Sequence, residues 1–410
     1  MRIAYVSTDR GVVLAGCNGA ATHVRELVTS LAARGADVTV LTARDEEAET
    51  LPFRVVGVDD DPLLRELRRD SGRVAESSGA QASEVHGLLL NARTTACLEA
   101  LHRERPFDLV YERQSLWSLA GLQFARRHGI PYFLEVNAPL VAQQAEYRTL
   151  EHVATATALA GILLGYADRV IVPSRSLGAH LVEHGIPAGR VRVVPCGVAR
   201  SRFASRVLAR PQRAPGDPFT VGFLGSLKPW HGVDLLIDAF VELRRRSDAY
   251  RLLVVGDGPM RDAIATRLPG ELEAGIVTLA GAVAPDDVPD FLARMDAGLA
   301  PYPPLPLFYF SPLKLFEYAA ASVPIVASAS GQIAELLIHR EHALLHKPGS
   351  VGKIVKHVEL LRTTPDLGAR LARRARRLIS TNHTWDRLAA RVLSMAESAR
   401  RASRRETSRP

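Results

Sequence analysis

The chain has 410 residues, 47% hydrophobic and 23% charged, with a formal net charge of +8. At ~150 residues per domain it holds two to three domains with real cores, which excludes a disordered chain, a collagen-like repeat and a disulfide-stapled miniature. Cys17, Cys97 and Cys196 are widely separated and form neither a CxxC pair nor an even framework, which fits reduced thiols in a cytoplasm.

Arg2 to Ser7 reads as a short strand, followed by a loop containing Gly11, Gly16 and Gly19. Val24, Leu27, Val28, Leu31 and Ala32 then recur at helical spacing, which puts them on one face. Gly35 is placed as a left-handed cap, and Val38–Leu41 begins the next strand. Strand, glycine loop, helix and strand form the opening unit of a parallel α/β sheet. Residues 60 to 105 read as largely helical and polar, with no role assigned. Further strands are expected at Asp108–Tyr111, Tyr132–Val136, Arg169–Val172 and Val191–Val194. The stretch Ala204 to Pro218 is rich in Arg and Pro without apolar periodicity and reads as a linker. The same grammar restarts at Phe219–Leu224, with a Gly225–Gly232 loop, a helix face at Val233, Leu236, Ile237 and Phe240, and a strand at Arg251–Val255. Strands at Ile276–Leu279, Ala297–Ala300 and Pro324–Ala327 complete the second half. Such near-continuous apolar runs suit strands covered on both faces. Two doubly wound α/β domains facing across a cleft are therefore expected.

Ligands of open α/β sheets sit at the carboxyl ends of the strands. The strongest local signal there is Phe308–Ala319. Ser311 suits an N-cap and Pro312 the first helical position; the free amides and positive dipole end behind them attract an anion such as diphosphate. Lys314 lies in the first turn and Glu317 three residues on, so the two share a face. A bound anion would offset a lysine placed against the dipole, and Glu317 is placed to accept from sugar hydroxyls. The competing reading is a surface helix with a weak Lys–Glu pair. In Gly225–Gly232 the glycines allow close backbone approach, while Lys228 and His231 supply donors; Trp230 also fits ordinary core. The loop Gly16–His23 is a weaker signal of the same kind.

Absent signatures narrow the class. Gly256-Asp257-Gly258 starts a GxGxxG, but Arg261 stands at the third glycine, which argues against a nicotinamide dehydrogenase. No GxxxxGK[ST], GxSxG or HExxH is present. Nor is there the aromatic–basic interleaving of RNA binders, so no nucleic acid partner is expected. Only five of the 52 basic residues are lysine. The arginines crowd at 370, 373, 374, 376 and 377, and again at 400, 401, 404, 405 and 409. This excess suits nucleotide phosphates, an acidic membrane or nucleic acid, or simply a solvated surface. No apolar run approaches the ~20 residues of a membrane span, and the N-terminus enters a strand without a signal peptide. A cytoplasmic protein is expected, with a peripheral membrane contact through the basic tail left open.

These residues resemble glycosyltransferase family 4, over nearly the whole chain from Met1 to about Ala399. Members carry a glutamate pair in a context like EAxAxGxPVVAS, which here reads Glu317 to Ser328. Glu317 matches the second glutamate, and Tyr309 replaces the first within YFSPLKLFEY. The loop reads GSLKPWHG, with Ser226 at the family's arginine position and His231 at its lysine position. Pro195-Cys196-Gly197-Val198 resembles the PNGVD hinge, and Trp385 the tryptophan of a C-terminal helix crossing back to the N-domain. The resemblance implies the GT-B fold, with two Rossmann-like domains. It places an acceptor-side domain at 1–200, a linker at 201–218 and a nucleotide-sugar domain at 219–380. A crossing helix follows at 381–398 and a basic flexible tail at 399–410.

The implied activity is transfer of a sugar from a nucleotide-diphosphate-sugar donor to a sugar, lipid-linked or small-molecule acceptor, with retention and without metal or other cofactor. The implied products are polysaccharide, glycolipid or natural-product glycosides. Glu317, Lys314 and His231 would be catalytic. Gly19, Ser226, Lys228, Gly258, Val283, Tyr309, Phe310, Ser311, Pro312 and Leu313 would bind the donor. Arg113, Glu135 and Asn137 would face the acceptor, with no convincing match for the histidine often found there. A non-hydrolysing nucleotide-sugar epimerase and a non-catalytic membrane scaffold are the rival readings.

Overall fold

The computed structural model describes residues 1–43, 51–59, 76–204 and 216–407. The chain forms two compact units. The first comprises Met1–Gly16, His23–Pro195 and the chain from Leu388 onward; the second comprises Cys17–Thr22 and Cys196–Arg387.

The first unit is built on a seven-stranded parallel sheet. Its strands are β1 (Arg2–Ser7), β2 (Asp37–Thr42), β3 (Arg54–Gly57), β4 (Leu109–Arg113), β5 (Tyr132–Glu135), β6 (Arg169–Val172) and β7 (Val191–Val193). Their spatial order is β3-β2-β1-β4-β5-β6-β7. The second unit holds β8 (Phe219–Leu224), β9 (Tyr250–Val255), β10 (Val277–Gly281), β11 (Ala297–Ala300), β12 (Ile325–Ser328) and β13 (Leu344–His346). These run in the order β10-β9-β8-β11-β12-β13. Both sheets reverse direction of growth once, at β1/β4 and at β8/β11. Doubly wound sheets bind ligands at such a switch point, beyond the strand carboxyl ends.

The apolar runs read from the sequence are buried as two-faced strands. All six residues of β1 are buried, as are all four of β11 and of β12. In the second unit Val233, Leu236, Ile237 and Phe240 of the Val233–Arg246 helix join the same core as Phe223 and Val254. Each such side chain contributes about 1.5–3 kcal/mol on burial.

Of the 60–105 stretch, Glu76–Glu104 is a single helix, and 60–75 lies outside the described residues. The expected linker is described only at its ends: Arg200–Ala204 is a short helix, and 205–215 lies outside the described residues. At the C-terminus the helix Trp385–Thr407 is continuous, so the segment from 399, expected as a flexible tail, is helical to Thr407. A run of alanines and arginines favours this, since both are strong helix formers. Arg400 is also committed: its guanidinium lies 2.9 Å from Asp108 Oδ1. Among the described residues no helix is long and apolar enough to cross a membrane.

Candidate functional site

In the second unit the loops after β8, β9 and β10 are fastened backbone to backbone. Gly225 N–H donates to Val255 O (2.8 Å), Leu227 N–H to Asp257 O (2.9 Å), Met260 N–H to Leu227 O (3.0 Å) and Gly256 N–H to Gly281 O (2.7 Å). Gly256 has φ +133°, and a Cβ there would collide with the Gly225 carbonyl oxygen. Only glycine combines that conformation with so close an approach. Gly258 is held in the same way: a Cβ would stand 2.8 Å from Leu227 N. Its own N–H donates to Asp257 Oδ1 (2.8 Å). Val283, half-buried, follows β10 at the sheet edge, with β9 and β8 between it and the switch point.

The helix after β11 runs Leu313–Ala320, one residue later than expected. Pro312, not Ser311, occupies the cap position with extended backbone (ψ 108°), and no side chain caps the helix. The Ser311 hydroxyl instead accepts from Cys196 N–H at 2.9 Å, a partner distant in sequence that takes it from the helix amides. The consequence favours anion binding more strongly than a serine cap does. The Leu313 and Lys314 amides, the first of the helix, have no acceptor among the described residues.

Lys314 is not on the surface, contrary to the Lys–Glu surface-pair reading. It is 5% exposed, and Nζ has no hydrogen-bond partner among the described residues. The ammonium lies 3.9 Å from the centre of the Phe223 ring and 5.4 Å from that of Tyr302. It also abuts the β8 loop, since a Cβ on Gly225 would stand 3.4 Å from Nζ. Burial lowers its pKa to about 7, against the opposing charge of Glu317. Glu317 is half-buried one turn further on. Tyr318 fixes the helix over the switch point: its hydroxyl accepts from Leu224 N–H (2.8 Å) and donates to Leu299 O (3.2 Å).

His231 closes the short turn Pro229–His231, with Nδ1 2.6 Å from the Ser226 carbonyl oxygen. A carbonyl only accepts, so Nδ1 carries the proton. Burial, followed by the charges of Lys314 and Lys228, lowers its pKa to about 3 despite that hydrogen bond. The ring is therefore neutral at pH 7 with Nε2 as an acceptor, which corrects the expectation of a second donor. Phe310 stacks on Tyr302 (6.0 Å), and His231 meets both rings edge-on. Tyr309 packs against Phe310 at 4.1 Å. Trp230 is half-buried rather than core, with Lys228 Nζ 5.9 Å from its ring centre. Gly19 begins the helix Gly19–Ala33, which Asn18 caps by accepting from Ala21 N–H (2.9 Å). A Cβ on Gly19 would stand 3.4 Å from Leu313 Cδ1. The structure thus gathers Gly19, Ser226, Lys228, His231, Tyr309 to Leu313, Lys314 and Glu317 around the β8/β11 switch point.

In the first unit, β4 and β5 end side by side, with Arg113 opposite Glu135 in register. Glu135 is buried, and its Oε1 lies 2.7 Å from Arg113 Nη1, 3.1 Å from His23 Nε2 and 2.5 Å from Asn137 Nδ2. Tyr111 Oη donates to Oε2 at 2.7 Å. Burial alone would raise this carboxyl, yet the His23 and Arg113 charges, with hydrogen bonds from His23 and Asn137, hold it far below the usual range. Arg113, Glu135 and Asn137 therefore do come together. His23 is the residue that sequence reasoning missed; its position one helical turn after Gly19 is the only available signal. The neighbouring Glu112 is a separate, structural group. Burial raises it to about 7, against hydrogen bonds from Ser118 and Tyr132.

Residues 18–197 match a family model described as a glycosyl transferase 4-like domain, and residues 218–363 one described as glycosyl transferases group 1. The chain is 25% identical to a glycogen synthase of Mycobacterium tuberculosis over 421 aligned residues, covering 98% of this chain and 96% of that protein. Among solved structures, a sucrose-phosphate synthase from Thermosynechococcus elongatus superposes with a TM-score of 0.73 at 20% identity, over 98% of this chain and all of that one. Anabaena HepE in complex with UDP and glucose gives 0.70 at 18% identity, over 97% of this chain and all of that one.

Proposed function

We propose, for a chain that belongs to the glycosyltransferases of GT-B fold, that the β8/β11 switch point binds the diphosphate of a nucleotide-sugar donor. The observation that carries this is the buried Lys314 ammonium beside an uncapped helix start. Leaving a cation unpaired in a protein interior costs several kcal/mol. A ligand anion at the Leu313 and Lys314 amides would supply the missing partner.

In this reading the donor's anomeric C–O bond breaks with its electron pair passing to the diphosphate oxygen. The two amides and Lys314 stabilise that developing charge without a metal. The acceptor hydroxyl attacks the same face, so configuration is retained, and its proton passes to the leaving oxygen. Glu317 accepts from the donor ribose, and His231 Nε2 accepts from a sugar hydroxyl. Ser226, Lys228, Tyr309 and Phe310 line the donor, with Gly258 and Val283 toward the base. Arg113 and Asn137, held by Glu135 and joined by His23, orient the acceptor. The acceptor is a sugar, a lipid-linked sugar or a small natural product. The UDP held by Anabaena HepE, a chain of the same fold, supports a nucleoside diphosphate as the leaving group.

A panel of sugar nucleotides screened by thermal shift tests this. The cognate donor should raise Tm, Glu317→Ala should weaken its affinity at least tenfold, and product should form only when an acceptor hydroxyl is supplied. Conversion of the donor without acceptor would point to an epimerase. Absence of both stabilisation and turnover would overturn the proposal.

A further inference from the structure

The arginine cluster at 370–377 takes no part in the donor site, yet it lines a cavity of about 590 Å³ elsewhere in the second unit. Arg373, Arg376 and Arg377 of the Pro365–Asn382 helix meet Arg200 of the Arg200–Ala204 helix there, with the polar residues Ser322 and Ser380 beside them. None of these four arginines has a carboxylate partner among the described residues, whereas the adjacent Arg202 is paired with Asp286 at 3.2 Å. The Pro365–Asn382 helix carries one acidic residue, Asp366, at its far end.

Like charges at three- and four-residue spacing repel along a helix by about 0.2–0.5 kcal/mol a pair, and four guanidinia without a carboxylate around one cavity favour an external anion. Guanidinium forks match phosphoryl oxygens in pairs. Ser322 adds a polar residue to the lining. It follows the Leu313–Ala320 helix with φ +56°, a left-handed position where glycine is the unstrained choice. Phe203, also in the lining and 2% exposed, offers an apolar floor.

We propose that this cavity is a second anion site that takes a phosphoryl group, carried either by a soluble phosphorylated molecule or by a lipid headgroup. The test is calorimetric titration of the full chain with inorganic pyrophosphate, in a Lys314→Met background that silences the donor site. One salt-sensitive binding event should remain there. Adding R373Q, R376Q and R377Q, at exposed or half-buried positions of the helix, should weaken it at least tenfold while far-UV circular dichroism stays unchanged. Survival of that event within twofold in the arginine variant, or its absence in Lys314→Met alone, would overturn the proposal. Failure of the donor-site reading shows differently, as equal pyrophosphate binding in wild type and Lys314→Met. Co-sedimentation with phosphatidylcholine vesicles, with and without phosphatidylglycerol, separates the two sources. Arginine-dependent pelleting that pyrophosphate displaces assigns the site to a headgroup, and binding of pyrophosphate without pelleting assigns it to a soluble phosphate.

Discussion

Replacing Lys314 with methionine should lower sugar transfer roughly 10²–10³-fold, the magnitude typical of losing one group that stabilises developing negative charge. Methionine fills the same slot between Phe223 and Tyr302, and removing a buried, unpaired ammonium relieves a desolvation cost. The variant should therefore be at least as stable as the wild type, so a loss of kcat/KM with an unchanged or higher Tm is the expected pair of results. The pH dependence has a definite sign. Burial sets the free ammonium near pH 7, and a bound diphosphate favours the charged form and raises it further. Donor affinity should be full below pH 7 and fall as pH rises above it, and Lys314→Met should abolish that dependence. Equal transfer by both proteins would remove Lys314 from the site.

Glu135→Ala should cost the first unit about 3–5 kcal/mol, because it strips the carboxylate from a buried cluster and leaves Arg113 uncompensated. Arg113, His23, Asn137 and Tyr111 all converge on this one side chain. Asn137→Ala removes a single hydrogen bond and should cost ~1 kcal/mol. Denaturant midpoints of the two variants check the contrast. The His23 and Arg113 charges hold the carboxyl well below the ordinary glutamate range in the folded protein. Its stabilisation is therefore complete above that range and is lost progressively as pH falls beneath it. Matching midpoints for the two variants would show that Glu135 is dispensable to the fold.

The sheet framework was legible because its strands are long apolar runs bounded by glycine loops, and the recurrence of strand, loop and helix at Phe219 marked the second unit. β3 and β13 escaped notice for the opposite reason. One is a partly exposed edge strand and the other only three residues long, so neither stands out by hydrophobicity. The turn that opens the Leu313–Ala320 helix was legible from its proline and serine, but its cap was not. Whether Ser311 serves its own helix or the amide of Cys196 depends on a contact across 115 residues. The burial of Lys314 was equally hidden, since Phe223 and Tyr302 come from the ends of two different strands. His23 ends the Gly16–His23 loop of the sequence, yet only the folded sheet brings it to Glu135.

The central claim is that the amides opening the Leu313–Ala320 helix receive the donor's diphosphate. Amide NMR shifts during titration with the sugar nucleotide that most raises Tm test it most directly. The largest perturbations are expected at Leu313 and Lys314. Saturation of the protein with those two signals unmoved would contradict it.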